Sequence, residues 1–131
     1  MTSDELNDFA ACYAKGWCSQ NPESVAAFFA EDASLMVNGG PPTPALEIAR
    51  GFMRDFPDMT VTFKLEPRAD RIAFHWTLTG TYARTGNQVR ISGYELWKIN
   101  NAGLIAESSG HFDATEYERQ LRDGFDAGSG D

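Results

Sequence analysis

Glu95 is the residue of this sequence whose position most favours chemistry. Apolar and polar residues alternate around it, and its own face carries Val89, Ile91, Trp97 and Ile99. Burial of a carboxylate among apolar groups raises its pKa, and a carboxylic acid that stays neutral near pH 7 can donate a hydrogen bond to a developing oxyanion. The alternative is a glutamate near a strand end that pairs with Arg or Lys, or that a β-bulge turns towards solvent.

Two helices are predicted at the start of the chain. Apolar residues that include Tyr13 and Trp17 recur at three- and four-residue spacings, which predicts an amphipathic helix from about Ser3 to Ser19. Asn21 can cap a second, short helix with Pro22 at its first position. We expect the two to form a helical hairpin.

The rest of the chain is predicted to add a strand, a third helix and then a series of strands. Glu31 and Asp32 end the second helix, a short strand covers Ala33 to Asn38, and the third helix runs from about Pro44 to Phe56. From Met59 onward the period changes to two, which predicts four further strands. The order α-α-β-α-β-β-β-β is typical of an α+β domain whose curved antiparallel sheet is covered by helices on one face. We expect this domain to cover 1–124 and a disordered, acidic and glycine-rich tail to cover 125–131.

Four short strings carry a resemblance to a known family. They are Ala30-Glu31-Asp32-Ala33, Asp55-Phe56-Pro57-Asp58-Met59, Trp76-Thr77-Leu78-Thr79-Gly80-Thr81, and Gly110-His111-Phe112-Asp113 with the later Arg119-Gln120-Leu121. With this element order, the chain from about Asp4 to Leu121 resembles the SnoaL-like polyketide cyclase group of the nuclear transport factor 2 superfamily, which also contains the ketosteroid isomerases. The resemblance implies a cone-shaped fold in which a curved antiparallel sheet and three N-terminal helices enclose an apolar pocket. It is specific for the fold and not for a reaction, since proteins of this kind include isomerases, cyclases, epoxide hydrolases, dehydratases and inert binding modules.

The resemblance implies roles for Glu95 and Tyr13. Glu95 resembles the position where ketosteroid isomerases carry their protonated acid, although those enzymes use aspartate. Tyr13 resembles their oxyanion-hole tyrosine, and two donors that converge on one oxygen would form an oxyanion hole. Tyr13 could instead be a core tyrosine whose hydroxyl bonds any nearby acceptor. The stretch from Leu35 to Asn38 lacks the carboxylate that the isomerases use as a general base, so a steroid isomerase of that design is not expected.

Asp113 and His111 are candidates for moving a proton. Asp113 matches the acid/base aspartate of SnoaL-like cyclases, which takes the acidic proton of a carbonyl compound and returns it after ring closure. It could equally cap the turn formed by Ala114 to Tyr117. His111 lies two residues earlier on the same strand face and could share a proton with Asp113, or pack on the sheet. His75 alternates with inward aromatic residues, so we expect it on the outer sheet face in a structural role.

Aromatic, thioether and amide side chains are the predicted walls of the pocket. Such side chains suit a flat or ring-containing ligand, although they are equally the material of an ordinary core. The candidates are Trp17, Met36, Asn38, Phe52, Met53, Phe56, Trp76 and Trp97.

Composition excludes several classes of function. The 131 residues suffice for one domain with its own core, and the net charge of −8 disfavours nucleic acids and anionic membranes as partners. We find no apolar segment that could span a bilayer and no signal peptide at the start, so we expect a cytoplasmic protein. Cys12 and Cys18 lie about 9 Å apart along one helix, too far for a disulfide, and no metal or cofactor motif is present.

We therefore expect a cofactor-independent isomerase or cyclase-type lyase that acts by proton transfer on a hydrophobic carbonyl-containing small molecule. In this hypothesis Glu95 and Tyr13 polarise the carbonyl, while Asp113 or His111 moves the proton. A non-catalytic small-molecule binding module of the same fold is the main alternative. An epoxide hydrolase is the second alternative, although the arginines fall at a turn or on the outward face, away from where its Asp-Arg-Asp relay would be needed.

The outward positions of the sheet predict a homodimer. They carry Thr and Ser hydroxyls and Tyr94 in place of a strongly charged surface. Proteins that resemble this chain commonly dimerise through that face, so the resemblance implies the same arrangement here.

Overall fold

The computed structural model describes residues 2–126, which form one curved, unclosed sheet with helices. The helices of this part are α1 (Ser3–Cys18), α2 (Pro22–Ala26), α3 (Ala45–Asp55) and α4 (Ala114–Asp123). The strands are β1 (Phe29–Val37), β2 (Thr60–Arg68), β3 (Arg71–Thr81), β4 (Gln88–Ile99) and β5 (Ile105–Phe112). The predicted α+β class, with helices early in the chain and strands late, is confirmed.

The sheet has the strand order β1-β5-β4-β3-β2. Strands β2 to β5 pair antiparallel, as predicted, whereas β1 pairs parallel with β5. Parallel neighbours need a long connection, and here residues 38–104 separate the two strands in sequence. The first and last strands thus lie side by side at one edge.

The helical hairpin forms because each helix has its own cap. Thr2 and Glu5 make a capping box at the start of α1, and the side chain of Asn21 accepts from the backbone of Glu23 at the start of α2. A Cβ at Gly16 would stand 2.9 Å from the backbone oxygen of Ser24. The absence of a side chain at Gly16 therefore lets the two helices approach closely.

The start of β1 differs from the prediction. The second helix ends at Ala26, and β1 begins at Phe29, four residues before the predicted start at Ala33. Glu31 and Asp32 lie in this strand, exposed to solvent, and do not end the helix as predicted. The pairing register with β5 shifts between Phe29 and Ser34, and this irregularity breaks the period-two pattern that would have revealed the strand.

Helix α4 was missed in the predicted order, which has a turn at its place. Its apolar face consists of little more than Tyr117 and Leu121, and its most buried side chain is the polar Gln120. Gln120 donates from Nε2 to the backbone oxygen of Arg90 and accepts at Oε1 from the backbone nitrogen of Arg90. Because β5 does not reach this part of β4, the glutamine amide satisfies an edge that would otherwise be unpaired.

The end of the described chain stays attached to β4. The backbone nitrogen of Phe125 donates to the oxygen of Gln88 at 2.7 Å. Of the predicted tail 125–131, positions 127–131 lie outside the described residues. In the described part, no helix is long and apolar enough to cross a membrane, and both cysteines are free thiols.

Candidate functional site

An apolar cavity lies between the helices and the inner face of the sheet. It is partly open to solvent and leaves about 60 Å³ that the centres of water molecules can occupy. At roughly 10–15 Å³ for each enclosed water, this is room for a few waters. The lining residues are Trp17, Leu35, Val37, Ile48, Phe52, Val61, Phe74, Trp76, Leu78, Glu95, Gly110 and Phe112.

Glu95 is the one charged side chain among the described residues that line this cavity. The pairing register places it between Phe74 on β3 and Gly110 on β5, and Val37 on β1 follows Gly110 in the same row across the sheet. Its exposed fraction is 6%. The predicted inward orientation of Glu95 is therefore confirmed, and its neighbours in the row are apolar or lack a side chain.

Three neutral donors hold the carboxyl group of Glu95. The hydroxyl of Tyr13 reaches Oε1 at 3.0 Å and Oε2 at 3.1 Å. The indole nitrogen of Trp97 donates to Oε1 at 3.1 Å, and the hydroxyl of Ser108 donates to Oε1 at 2.8 Å. All three donors are buried, with none of their surface or almost none exposed.

The two oxygens of Glu95 are consequently in different situations. Oε1 accepts from all three donors, whereas Oε2 has Tyr13 as its one described partner. A carboxylate oxygen can accept more than one hydrogen bond. Oε2 therefore keeps the capacity to accept a further hydrogen bond or to take a proton.

Burial controls the protonation of this cluster. Desolvation raises the pKa of Glu95 above its ordinary value, and the hydrogen bonds from Ser108, Trp97 and Tyr13 oppose that rise. Burial also raises the pKa of the Tyr13 hydroxyl well above its usual range, and the charge of Glu95 adds to the effect. Tyr13 therefore remains a protonated donor at every physiological pH.

Tyr13 supports Glu95 and does not itself line the cavity. It is fully buried, and its ring contacts those of Trp97 and Phe74 at centroid distances of 5.1 and 5.3 Å. The pairing of Tyr13 with Glu95 agrees with the predicted convergence. The predicted form of that convergence, two donors on one substrate oxygen, is not present, because the Tyr13 hydroxyl points at the carboxyl group.

His111 and Asp113 lie on the other side of the sheet from Glu95. His111 pairs with Tyr94 in the β4–β5 register, its ring lies 5.0 Å from that of Tyr94, and Nε2 is 2.9 Å from the hydroxyl of Ser109. Asp113 caps α4 by accepting from the backbone of Glu116 at 3.1 Å. The prediction that these two residues share a site with Glu95 is wrong for this structure, and the capping alternative for Asp113 is the one observed.

A shallow surface depression, separate from the cavity, contains His111 and Asp113 together with Asn38 and Tyr94. His75 also lies on this outer face, as predicted, with Nε2 3.0 Å from a carboxylate oxygen of Glu66. In the described part of the chain, no group of three His, Cys, Asp or Glu residues could hold a metal ion.

The structure places three of the eight predicted wall residues at the cavity. Trp17, Phe52 and Trp76 line the cavity. The other five do not: Met36, Asn38, Met53, Phe56 and Trp97. Met36 alternates with the lining residues of β1, and the side chain of Asn38 accepts from the backbone of Phe112 at the sheet edge. Met53 and Phe56 are buried in the core, and Trp97 is fully buried as a donor to Glu95.

Ser108 belongs to the candidate site and was not predicted from the sequence. It pairs directly with Trp97 in the β4–β5 register, is fully buried, and makes the shortest bond to Glu95. A small polar residue that shares its strand face with Gly110 and Phe112 was the available signal. This pattern points to Glu95 only when the pairing register of β4 with β5 is known, and the sequence alone does not give that register.

Comparisons with known proteins place this architecture among relatives. A family model described as a SnoaL-like domain matches residues 8–108. AclR from Streptomyces galilaeus, a candidate hydroxylase, has a TM-score of 0.79 at 15% identity over 92% of this chain and 98% of that chain. No curated protein matches the sequence.

Two further solved structures have the same fold. A hypothetical protein with a ketosteroid isomerase-like fold from Catenulispora acidiphila DSM 44928, in complex with trimethylamine, has a TM-score of 0.73 at 15% identity over 87% of this chain and 92% of that chain. A candidate polyketide cyclase from Xanthomonas campestris pv. campestris has a TM-score of 0.70 at 17% identity over 88% and 95%. At these identities the likeness establishes the fold alone.

Proposed function

This chain belongs to the SnoaL-like domain family, and we propose that it is a cofactor-independent isomerase or cyclase-type lyase that moves a proton on a small hydrophobic carbonyl compound. The observation that carries the proposal is Glu95, a buried carboxyl group that faces an apolar cavity with Oε2 available. General acid–base catalysis needs such a group, positioned beside the proton and with a pKa moved towards the working pH.

The hydrogen bonds suit a group that must exist in two protonation states. When Glu95 is ionised, Tyr13 donates to its oxygens, and Trp97 and Ser108 donate to Oε1. When Glu95 is protonated at Oε2, that proton can be donated to the hydroxyl oxygen of Tyr13, which still donates to Oε1. Neither state leaves a buried polar atom without a partner, so the proton can be taken and returned at low cost.

In the proposed reaction, Glu95 Oε2 takes a proton from the carbon next to the carbonyl group. The pair of electrons from the broken C–H bond moves into the carbonyl system and forms an enolate. The protonated carboxyl group can then hydrogen-bond the enolate and return the proton to another carbon or after ring closure. Tyr13, Trp97 and Ser108 are positioning residues, and the apolar walls exclude water from the reacting atoms.

Proton exchange on a small ketone tests this proposal. Cyclohexanone is a small apolar ketone, and its α-protons exchange in D₂O at a rate that NMR measures directly. We expect the wild-type protein to accelerate the exchange and Glu95→Gln to abolish the acceleration. Asp113→Asn is the matched control because asparagine also caps helices, and its rate should equal that of the wild type.

Two outcomes would contradict the proposal. If the wild-type protein does not accelerate exchange above the rate in buffer, the non-catalytic binding module becomes the better description. If Asp113→Asn abolishes exchange while Glu95→Gln does not, the chemistry belongs to the outer face.

An epoxide hydrolase finds no support, since no arginine lines the cavity among the described residues.

We also propose a homodimer through the outer sheet face. That face carries Thr77 and Ser92, whose hydroxyls lie 2.8 Å apart, and a row of rings in which Tyr94 stands between His75 and His111. The rings of this row are half-buried, which supports contact with a second copy. Sedimentation that shows only monomer at micromolar concentration would contradict this proposal. A cytoplasmic location stays a prediction from the sequence.

A further inference from the structure

The aromatic walls of the cavity that Glu95 lines come from both layers of the fold. Trp17 on α1 and Phe52 on α3 form an edge-to-face pair at 6.1 Å on the helical side. Trp76 on β3 and Phe112 on β5 form a second edge-to-face pair at 5.9 Å on the sheet side. A cation over an aromatic face is attracted by the negative potential of the ring, most strongly for Trp.

Phe74 differs from the other four rings that line the cavity. It stacks between Phe63 and Trp97, at centroid distances of 5.4 and 4.8 Å. Both faces of the Phe74 ring are therefore covered, and the ring can offer only its edge. The other four rings make edge-to-face or tilted contacts and no stacked contact in the described part of the chain, so they are the better candidates to present a face to a cation.

The charge of Glu95 has no positive partner in the described structure. Its three hydrogen-bond donors are neutral, and no Lys, Arg or His lines the cavity in the described part of the chain. An ionised carboxylate in such surroundings has a large desolvation cost that a nearby cation would offset. The net charge of −8 also favours the approach of cations from solution.

The small number of hydrogen-bond acceptors in the cavity favours one kind of cation over another. A primary ammonium group carries three N–H donors and strong hydration, and the cavity offers it a single carboxyl group, whose Oε2 already accepts from Tyr13, on otherwise apolar walls. A fully methylated ammonium needs no hydrogen-bond acceptor and is weakly hydrated. We infer that the cavity is a binding site for small methylated ammonium cations, with Glu95 as the counter-ion and Trp17, Phe52, Trp76 and Phe112 as the enclosing rings.

This site uses the same cavity as the proposed function but does not rest on the proton transfer. A protein that binds such cations without exchanging ketone protons would support this inference and contradict the proposed function. A protein that exchanges protons through Glu95 but shows no preference for cations would support the proposed function and contradict this inference.

The test compares two molecules of the same shape that differ in charge. Choline carries a permanent positive charge, and 3,3-dimethyl-1-butanol replaces its nitrogen by carbon. Binding of each is measured by titration of tryptophan fluorescence at about pH 8, with isothermal calorimetry as the second readout. We expect the wild-type protein to bind choline about tenfold or more tightly than the alcohol.

Three variants separate the contributions to that preference. Glu95→Gln should remove most of it, since the amide is neutral, and Trp76→Leu should reduce it by weakening choline more than the alcohol. Gly110→Ala should weaken both probes alike, because the new Cβ would lie 3.7 Å from Cγ of Glu95 and narrow the cavity without changing its charge. His111→Gln on the outer face is the control and should leave both affinities unchanged.

The inference is overturned if the alcohol binds the wild-type protein as tightly as choline does. It is also overturned if neither probe binds, or if the preference for choline survives both Glu95→Gln and Trp76→Leu. Circular dichroism of each variant establishes that it is folded, and Gly110→Ala keeps the test decisive if Glu95→Gln fails to fold. Equal affinities for the two probes in Gly110→Ala would then count against the inference, since this variant keeps both the charge and the rings.

Discussion

Removal of one hydroxyl group tests the arrangement around Glu95. Tyr13→Phe keeps the ring and its packing against Trp97 and Phe74 but deletes the donor that reaches both carboxyl oxygens at 3.0 and 3.1 Å. One hydroxyl proton makes these two contacts, so they count as a single hydrogen bond. A buried hydrogen bond to a charged group contributes about 1.5–3 kcal/mol, against about 0.5–1.5 kcal/mol for a neutral pair.

The expected loss in the free energy of unfolding is therefore about 1.5–3 kcal/mol where Glu95 is ionised. Urea unfolding followed by tryptophan fluorescence measures this loss. With a denaturant dependence of about 2 kcal/mol per molar urea, the midpoint should fall by roughly 1 M. Tyr94→Phe on the outer face is the matched control, since its hydroxyl has no contact with Glu95, and its midpoint should change little.

A double-mutant cycle with Glu95→Gln isolates the interaction. In the glutamine background the Tyr13 hydroxyl bonds a neutral amide, so its removal should cost about 1 kcal/mol or less. The coupling energy between the two positions should then be about 0.5 kcal/mol or more. A coupling within about 0.3 kcal/mol of zero would refute the hydrogen bond as the basis of the arrangement.

Three further predictions follow from other parts of the structure. Gly93→Ala should destabilise the fold by about 1–3 kcal/mol in thermal or urea unfolding, because its Cβ would collide with the backbone oxygen of His111. Gln120→Ala should cost about 1–3 kcal/mol in the same assay, because it leaves the backbone N–H and C=O of Arg90 without their partner; a loss below about 0.3 kcal/mol would contradict this. The raised pKa of Glu95 means that the folded state holds its proton more tightly than the unfolded state. The contribution of this group is therefore fully present below pH 4.5 and is lost as pH rises through the folded-state pKa, and Glu95→Gln should flatten this part of the stability profile.

The orientation of Glu95 could be predicted because β4 has a regular pattern. Apolar residues on both sides of Glu95 fix the phase of the strand, and a period of two leaves one orientation for the carboxyl group. The apolar stripe of α1 likewise placed Tyr13 towards the core. The contact between Tyr13 and Glu95 joins elements 82 residues apart in sequence, and only the resemblance to a known family pointed to it.

The face of β5 could not be predicted in the same way. Glu107, Ser108, Ser109 and Gly110 are polar or small on both faces of the strand, so the sequence provides no phase. The register with β4 places Ser108 inside and His111 outside. Because this register was not predicted, Ser108 was missed as a donor to Glu95, and His111 was grouped with Glu95.

Helix α3 shows a limit of a different kind. Its apolar stripe predicted Phe52, Met53 and Phe56 together as pocket walls. The stripe is wide enough to serve two surfaces, so Ile48 and Phe52 face the cavity while Met53 and Phe56 are buried in the core. Periodicity identifies the buried side of a helix, but the position of a cavity within that side depends on the packing.

The most direct test of the central claim is the titration of Glu95 itself. Carbon-13 labelling of the glutamate carboxyl groups, with the Glu95 signal assigned by its loss in Glu95→Gln, allows each pKa to be read by NMR. We predict a midpoint for Glu95 above its ordinary value of 4.5, while Glu66 and Glu116, whose pKa values are lowered by their hydrogen-bonding partners, titrate below 4.5 in the same sample. A midpoint for Glu95 at or below 4.5 would contradict the account of this residue as a buried acid–base group.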